Sequence, residues 1–182
     1  MATPQEIRRI RLASDYKQMC NIQGSIISWV PVRGTPPYVE EYKVTIRVRT
    51  ITGVSGNNPV YRDTSVVTVT LPQNYPIEKP KIIMESDPQP FHPNWYAHKL
   101  WCCGTWFTSE SLGDHVIRMV KTLQYDLDIT NENSPANVDA KNWYVANKRS
   151  GLFPCDRQKL PDPTKPNPTP SAQSSFVIKK RG

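Results

Sequence analysis

The sequence predicts an α+β domain in which one helix precedes four strands and two further helices follow an irregular segment. Three observations predict it. Apolar residues at helical spacing open the chain, four short segments rich in β-branched residues lie between residues 25 and 85, and helical spacing returns at Leu112. A run of strands next to a run of helices is typical of α+β folds.

The first helix is predicted from Pro4 to about Met19. Thr3 is placed to cap its N-terminus, and proline is favoured in the first helical turn. The apolar residues that recur mostly three or four apart are Ile7, Ile10, Leu12, Tyr16 and Met19. Three arginines lie near the start of this amphipathic helix: Arg8, Arg9 and Arg11.

The four predicted strands are joined by segments rich in glycine, proline and asparagine. Two of the strands alternate apolar and polar residues, and all four contain β-branched residues. Their predicted ranges are 25–31, 44–48, 65–71 and 81–85. The VSGNNP segment supplies turn chemistry between the second and third strands, so we expect a four-stranded antiparallel meander.

Two helices are predicted after an aromatic-rich segment at 91–107. The first begins at Leu112, with Ser109 or Ser111 as its candidate N-cap, and carries apolar residues at helical spacing. A turn-rich segment that ends in NSPAN then leads into a shorter helix at 138–148.

Length and composition predict one folded domain at 1–156 and a proline-rich basic tail at 157–182. A chain of 182 residues is long enough for one domain with a sizeable core. From Arg157 onward, prolines recur without apolar periodicity, so the tail is expected to be flexible.

Cysteine usage and hydropathy indicate a cytoplasmic protein. The four cysteines show no CxxC spacing and two are adjacent, which favours reduced thiols. No apolar run approaches the roughly 18 residues of a membrane span, so no membrane association is expected. The net charge of +7 would suit an acidic partner, but no aromatic–basic stacking motif accompanies it, and we expect no nucleic-acid binding.

Five short motifs occur in the order found in ubiquitin-conjugating enzymes. They are Tyr75-Pro76, Pro80, His92-Pro93-Asn94, Cys102 and the NSPAN segment at 133–137. Cys102 lies eight residues beyond Asn94, which is the spacing of that family. The chain therefore resembles a divergent member of the family from Thr3 to Lys148, and the divergence is compatible with a bacterial conjugation operon.

The resemblance implies the family's fold, with an N-terminal helix, a four-stranded antiparallel meander, a catalytic loop, a central helix and a further helix. It also implies that an activating enzyme transfers a ubiquitin-like protein to Cys102 as a thioester, and that a target lysine then receives it. No cofactor is expected. A thiolate suits this role because thioesters form by exchange and remain reactive toward amines.

Two further catalytic roles follow from the resemblance. Asn94 would stabilise the negative charge that develops on the thioester oxygen, and Ser134 would orient the incoming lysine. Each residue also has a purely structural alternative, since Asn94 can fix the loop and Ser134 can start the next helix. His92 is expected to be structural, because a transfer enzyme gains nothing by activating water against its own thioester.

The resemblance also implies two partner-binding regions. The first helix of the family receives the activating enzyme, so Arg8, Arg9 and Arg11 would face an acidic surface there. The loop formed by Tyr75, Pro76 and Ile77 corresponds to one that often contacts ligases, although a structural turn is an equal alternative.

Some residues depart from the family pattern. Cys103 and Gly104 follow Cys102 where an apolar and an acidic residue are common, and the loop is about two residues short. The open alternatives are Cys103 as the nucleophile, a catalytically silent binding module, a cysteine hydrolase and a zinc site. The candidate zinc ligands are His92, His98, Cys102 and Cys103.

Overall fold

The computed structural model describes residues 1–168, and part of the predicted flexible tail, residues 169–182, lies outside the described residues. The architecture is α+β, with an N-terminal helix, an antiparallel sheet and further helices. Within residues 1–168, no helix combines the length and the apolar character needed to cross a membrane.

Helix α1 spans Pro4–Ile22 and is about one turn longer than predicted. Thr3 caps it through a reciprocal pair of hydrogen bonds, in which the Glu6 N–H donates to the Thr3 hydroxyl and the Thr3 N–H donates to the Glu6 carboxylate. Ile7 and Ile10, two of the apolar residues at helical spacing, are at least half exposed. The buried apolar residues of α1 are Leu12, Met19 and Ile22.

Six strands follow α1: β1 (Ile27–Arg33), β2 (Glu41–Ile46), β3 (Thr50–Ser55), β4 (Asn58–Arg62), β5 (Ser65–Thr70) and β6 (Lys81–Met84). Four of them form an antiparallel sheet in the order β1-β2-β5-β6. These are the four predicted strands, with ends shifted by no more than three residues. Burial alternates along β2 and β5, so one sheet face covers the core.

Strands β3 and β4 form a separate two-stranded hairpin that the sequence analysis did not predict. The VSGNNP segment is the tip of this hairpin, where Gly56 has a φ of 61°. A register shift between Ile51 and Gly53 breaks the alternation that would have marked β3 as a strand. The Ile51 carbonyl accepts a hydrogen bond from the Phe91 N–H at 2.8 Å, so the hairpin supports the segment that leads into His92.

Helix α2 spans Leu112–Gln124 and packs with α1 against the inner sheet face. Of the two candidate caps, Ser111 is the N-cap and its hydroxyl accepts from the Asp114 N–H at 3.1 Å. The buried Asp15 carboxylate accepts from the Leu112 N–H at 2.9 Å, which joins the start of α2 to α1.

A 3₁₀ turn at Leu127–Ile129 precedes helix α3, which spans Val138–Asn147. The Asn137 side chain caps α3 by accepting from the Ala140 N–H at 3.0 Å, so the alternative in which Ser134 starts this helix was wrong. A second apolar cluster lies between α3, the hairpin and the end of α2; its buried members are Ile51, Tyr125, Tyr144 and Phe153.

Residues 157–168 lie against the domain despite their proline content. The Gln124 side chain donates to the Gln158 carbonyl at 2.8 Å, and the Asn21 side chain donates to the Pro163 carbonyl at 2.7 Å. Pro163 is buried, and Leu160 packs against the main core. This part of the proline-rich segment therefore contacts both α1 and α2.

Candidate functional site

Cys102 lies at a cavity of about 220 Å³ between the aromatic-rich segment, α2 and the loop that follows α2. Its side chain is partly exposed, whereas the neighbouring Cys103 is buried in the main core. The Cys102 N–H donates to the Asn94 carbonyl at 2.8 Å, so the two residues chosen by their spacing are in direct contact. The cavity is lined by Asn94, Trp101, Cys102, Cys103, Gly104, Arg118, Thr122, Ile129 and Asn131.

Three residues form what we call the asparagine cluster, His92, Asn94 and Asn131, of which Asn94 and Asn131 line the cavity. The Asn94 N–H donates to His92 Nδ1 at 3.0 Å. The Asn94 side chain donates to the Ile129 carbonyl at 3.1 Å and accepts from the Asn131 N–H at 3.1 Å. Asn94 therefore ties the Cys102 segment to the loop after α2.

The NSPAN segment lies against this cluster through backbone hydrogen bonds. The Asn131 side-chain oxygen accepts from the N–H groups of Asn133 and Ser134, each at 3.0 Å. The Pro93 carbonyl accepts from the Ala136 N–H at 2.7 Å. Ser134 is exposed, and its hydroxyl makes no hydrogen bond to the described residues.

Three further residues form what we call the arginine cluster, Glu110, His115 and Arg118, of which Arg118 lines the cavity. Arg118 Nε and Nη2 donate to the two Glu110 carboxylate oxygens, both at 2.8 Å. Arg118 Nη1 donates to the Cys103 carbonyl. His115 Nδ1 lies 3.2 Å from the Glu110 carboxylate.

None of the three residues of the arginine cluster was predicted from the sequence as a site residue. Its one sequence signal is the placement of His115 and Arg118 three residues apart on a single helix, which puts both side chains on one face. That spacing alone does not predict which segment the face contacts.

Burial and hydrogen bonds set the protonation states of His92, His115 and Glu110 in the two clusters. Burial lowers the pKa of His92 to about 3, and it also lowers the pKa of His115, although Glu110 opposes the shift at His115. Burial favours a raised pKa at Glu110, but its hydrogen bonds with His115 and Arg118 outweigh burial and lower it. Both histidines are therefore neutral near pH 7 and Glu110 is ionised.

Tyr96 is a further residue that the sequence analysis did not select. Its hydroxyl lies 3.7 Å from the Cys102 sulfur, and this hydrogen bond raises the pKa of Tyr96. Its ring stacks on His98, with centroids 5.1 Å apart. Its position two residues beyond Asn94 was the available signal.

The three arginines of α1 have different environments. Arg8 forms an ion pair with Glu40 at 2.6 Å, and Arg11 forms one with the buried Asp15 at 2.7 Å. Arg11 also donates to two backbone carbonyls just before α2, those of Thr108 and Glu110. Arg9 is exposed, with its guanidinium 4.7 Å from the ring centroid of Tyr38.

The loop at Tyr75, Pro76 and Ile77 adjoins the segment before α2. The buried Tyr75 hydroxyl donates to Asp15 at 2.5 Å, and the Pro76 carbonyl accepts from the Trp106 indole N–H at 2.9 Å. Ile77 is 80% exposed and Phe107 is 64% exposed.

Residues 1–168 contain no group of three or more His, Cys, Asp or Glu side chains arranged to hold a metal ion. All four thiols, including those of Cys102 and Cys103, are free. No model of a known protein family matches the sequence.

Proposed function

We propose that this chain has a ubiquitin-conjugating-enzyme-like fold and function, and that it carries a ubiquitin-like protein as a thioester on Cys102 before passing it to a lysine amine. One observation carries the proposal. Three separate motifs are joined by hydrogen bonds: Asn94 of the triplet bonds to Cys102, and both line one cavity, while the NSPAN segment bonds to the Pro93 carbonyl and to the side chain of Asn131, a further lining residue. The order of α1, the four-stranded sheet, α2 and α3 along the chain supports it further.

Cys102, rather than Cys103, is the nucleophile in this proposal. Both cysteines line the cavity, but Cys102 is partly exposed, whereas only 6% of Cys103 is exposed. Burial also raises the pKa of the Cys103 thiol, which disfavours the reactive thiolate. Cys103 packs in the main apolar core. Ubiquitin-conjugating enzymes, which the sequence resembles, commonly have an apolar residue at this position, and a buried cysteine can take its place.

The reaction takes place in two exchanges. The Cys102 thiolate attacks the thioester on the activating enzyme, a new carbon–sulfur bond forms, and the activating enzyme's thiolate leaves. The lysine amine of the target then attacks the Cys102 thioester, an amide forms, the Cys102 thiolate leaves, and the amine proton passes to solvent.

In the second exchange, Asn94 has two roles that are compatible. One of its amide N–H groups donates to the Ile129 carbonyl, which orients the side chain. The second N–H of the amide makes no hydrogen bond to residues 1–168 and is proposed to donate to the oxygen of the tetrahedral intermediate, where one such donor is worth roughly 2.7 to 4 kcal/mol. Ser134 lies on the loop that this side chain fixes and is proposed to flank the incoming lysine.

The environments of the histidines disfavour a cysteine hydrolase. His92 is fully buried and accepts a hydrogen bond from the Asn94 N–H, and its lowered pKa makes it a poor base. His115 faces Glu110, and the exposed His98 stacks on Tyr96. The only side chain hydrogen-bonded to the Cys102 sulfur among the described residues is Tyr96.

Two exposed surfaces are proposed for the partners. Arg9 and Ile10 on α1 present a charged and an apolar side chain for an activating enzyme, while Arg8 and Arg11 mainly fasten α1 to the domain. Ile77 is proposed to contact a ligase, since it is exposed on a loop whose base is held by Tyr75 and Pro76.

The test is incubation of the full chain with an activating enzyme, ATP and a ubiquitin-like protein, followed by gel analysis with and without reductant. The expected product is an adduct that reductant removes, that Cys103→Ser retains, and that Cys102→Lys converts into a stable isopeptide. Absence of any adduct with every candidate modifier would favour the catalytically silent module. An adduct lost only in Cys103→Ser would overturn the choice of nucleophile.

A further inference from the structure

The short segment that follows Cys102 is held by a side chain of α2. Cys103 is anchored by its buried sulfur, but Gly104 is exposed, has a φ of 69° and has no side chain to pack. The Cys103 carbonyl accepts a hydrogen bond from Arg118 Nη1. Arg118 is therefore the α2 side chain that fixes the backbone immediately after the nucleophile.

Arg118 is itself fixed on three sides. Besides its bond to the Cys103 carbonyl, the guanidinium makes a two-bond contact with the Glu110 carboxylate, and its Cζ lies 5.3 Å from the ring centroid of Trp101, the residue before Cys102. Two parallel hydrogen bonds to a carboxylate define the orientation of an arginine as well as its position. Arg118 thus contacts the residues on both sides of Cys102 in a single orientation.

We propose that Arg118 is a positioning residue for acyl transfer at Cys102, with Glu110 holding its guanidinium against the Cys103 carbonyl. This inference rests on the proposed function for its role in transfer. A displacement of about 1 Å in a reacting group can cost on the order of 10²-fold in rate, so a loosened loop slows the attack of the amine. The first exchange is less sensitive, because an activating enzyme brings its own contacts to the thiol.

The test compares four variants of the full chain: Arg118→Gln, Arg118→Lys, Glu110→Gln and the double variant Arg118→Gln/Glu110→Gln. Arg62→Gln is the matched control, because Arg62 is also half-buried and also donates to a backbone carbonyl, that of Pro88, outside the Cys102 cavity. Thioester formation and single-turnover discharge onto free lysine are measured separately, below the unfolding temperature of every variant.

Discharge by Arg118→Gln is expected to fall by about tenfold or more, with thioester formation changed less than about threefold. Lysine keeps the charge but not the two-bond contact, so Arg118→Lys is expected to restore discharge only in part. The double variant is expected to match Arg118→Gln, and Arg62→Gln to match the wild type. Any of three results would overturn the proposal: discharge near the wild-type rate in Arg118→Gln, discharge at the wild-type rate in Arg118→Lys, or a loss in the double variant equal to the sum of the losses in Arg118→Gln and Glu110→Gln.

Alkylation by iodoacetamide, mapped by mass spectrometry, separates this inference from the proposed function. In Arg118→Gln the loosened segment is expected to expose Cys103, so the ratio of Cys103 to Cys102 alkylation rises about threefold or more, and not in Arg62→Gln. If the wild type forms no thioester but this ratio rises, the proposed function fails while Arg118 still holds the loop. An unchanged ratio overturns the positioning role even where thioester forms.

Discussion

Cys102 is bordered by two clusters that hold it through different chemistry. In the asparagine cluster, neutral groups bond to backbone: the Asn94 amide joins Ile129 and Asn131, and His92 accepts from the Asn94 N–H. In the arginine cluster, a guanidinium and a carboxylate form an ion pair beside a buried imidazole. One cluster fixes the residues before Cys102, and the other fixes the residue after it.

The two clusters also differ in how they depend on solution conditions. The amide hydrogen bonds of Asn94 and Asn131 involve no titratable group, so pH acts on that cluster through His92 alone. The ion pair between Arg118 and Glu110 loses a charge when the carboxylate is protonated, and salt screens it in part because the Arg118 side chain is 30% exposed. The comparison predicts that variants in each cluster have separable effects.

The largest effect is expected for Asn94→Ala. It removes the donor to the developing oxyanion and the link to the loop at 129–131, so discharge onto free lysine should fall by roughly 10²- to 10³-fold. Thioester formation should change far less, because in that exchange the activating enzyme brings its own contacts to the reacting groups. Single-turnover discharge measures the first quantity and adduct yield the second.

If Asn94→Ala instead lost thioester formation and discharge equally, Asn94 would act only by holding the loop. Tyr61→Ala is a useful control, because this exposed hairpin residue lies outside the Cys102 cavity. Its discharge rate is expected to equal that of the wild type.

The next largest effect is acid destabilisation through His92. The unfolded histidine has a pKa near 6.5 and burial lowers the folded value to about 3, so its stabilisation is complete above pH 6.5 and is lost as the pH falls from 6.5 toward 3. At about pH 5 the free energy of unfolding is expected to be about 2 kcal/mol lower than above pH 6.5. Urea unfolding at about pH 7.5 and about pH 5 measures the difference.

His115 supplies the comparison in the other cluster. Burial lowers the pKa of His115 as it does that of His92, but the facing Glu110 favours the charged imidazole. The free energy of unfolding that His115 loses as the pH falls should therefore be smaller. His92→Gln should therefore reduce the pH dependence more than His115→Gln does. Equal pH dependence in the two variants would show that Glu110 does not offset burial.

The sequence pointed to His92 and Asn94 of the asparagine cluster but not to Asn131, and to no residue of the arginine cluster, for a physical reason. His92 and Asn94 belong to one short motif with Cys102 eight residues away, and local hydrogen bonds in such loops depend on residue order. Arg118 approaches Cys103 only because α2 packs under the loop, which is a tertiary contact between residues 15 apart. No local pattern specifies that contact.

The same distinction applies to the fold. The four main strands follow from β-branched residues, with alternation in two of them, and the structure contains all four. The N-cap at Thr3 was predicted, and Ser111 was one of two candidates for the second. The β3–β4 hairpin was missed because Gly53 and a bulge interrupt its alternation. The contacts of residues 157–168 could not be predicted from a proline-rich composition, since they depend on hydrogen bonds from Asn21 and Gln124.

A smaller effect is expected for Asn131→Ala. Its side-chain oxygen accepts from two backbone N–H groups in the NSPAN segment, and their loss should cost about 1 kcal/mol because this exposed segment can bond to water instead. Asn133→Ala is the matched control, as its side chain makes no hydrogen bond to the described residues. Urea unfolding of both variants tests the difference, and an equal loss would mean that the Asn131 side chain does not hold the loop.

The smallest effect is expected for Tyr96→Phe. The hydroxyl lies 3.7 Å from the Cys102 sulfur, a long contact to a weak acceptor, whereas the ring stacked on His98 is kept in phenylalanine. Discharge should therefore fall by only about twofold, well below the loss in Asn94→Ala. Tyr96→Leu also removes the stacking, so a larger loss in Tyr96→Leu would assign the residue's contribution to its ring. A loss in Tyr96→Phe as large as that in Asn94→Ala would mean that the hydroxyl contacts the reacting atoms. Tyr96 would then act on the reaction together with Asn94 of the asparagine cluster.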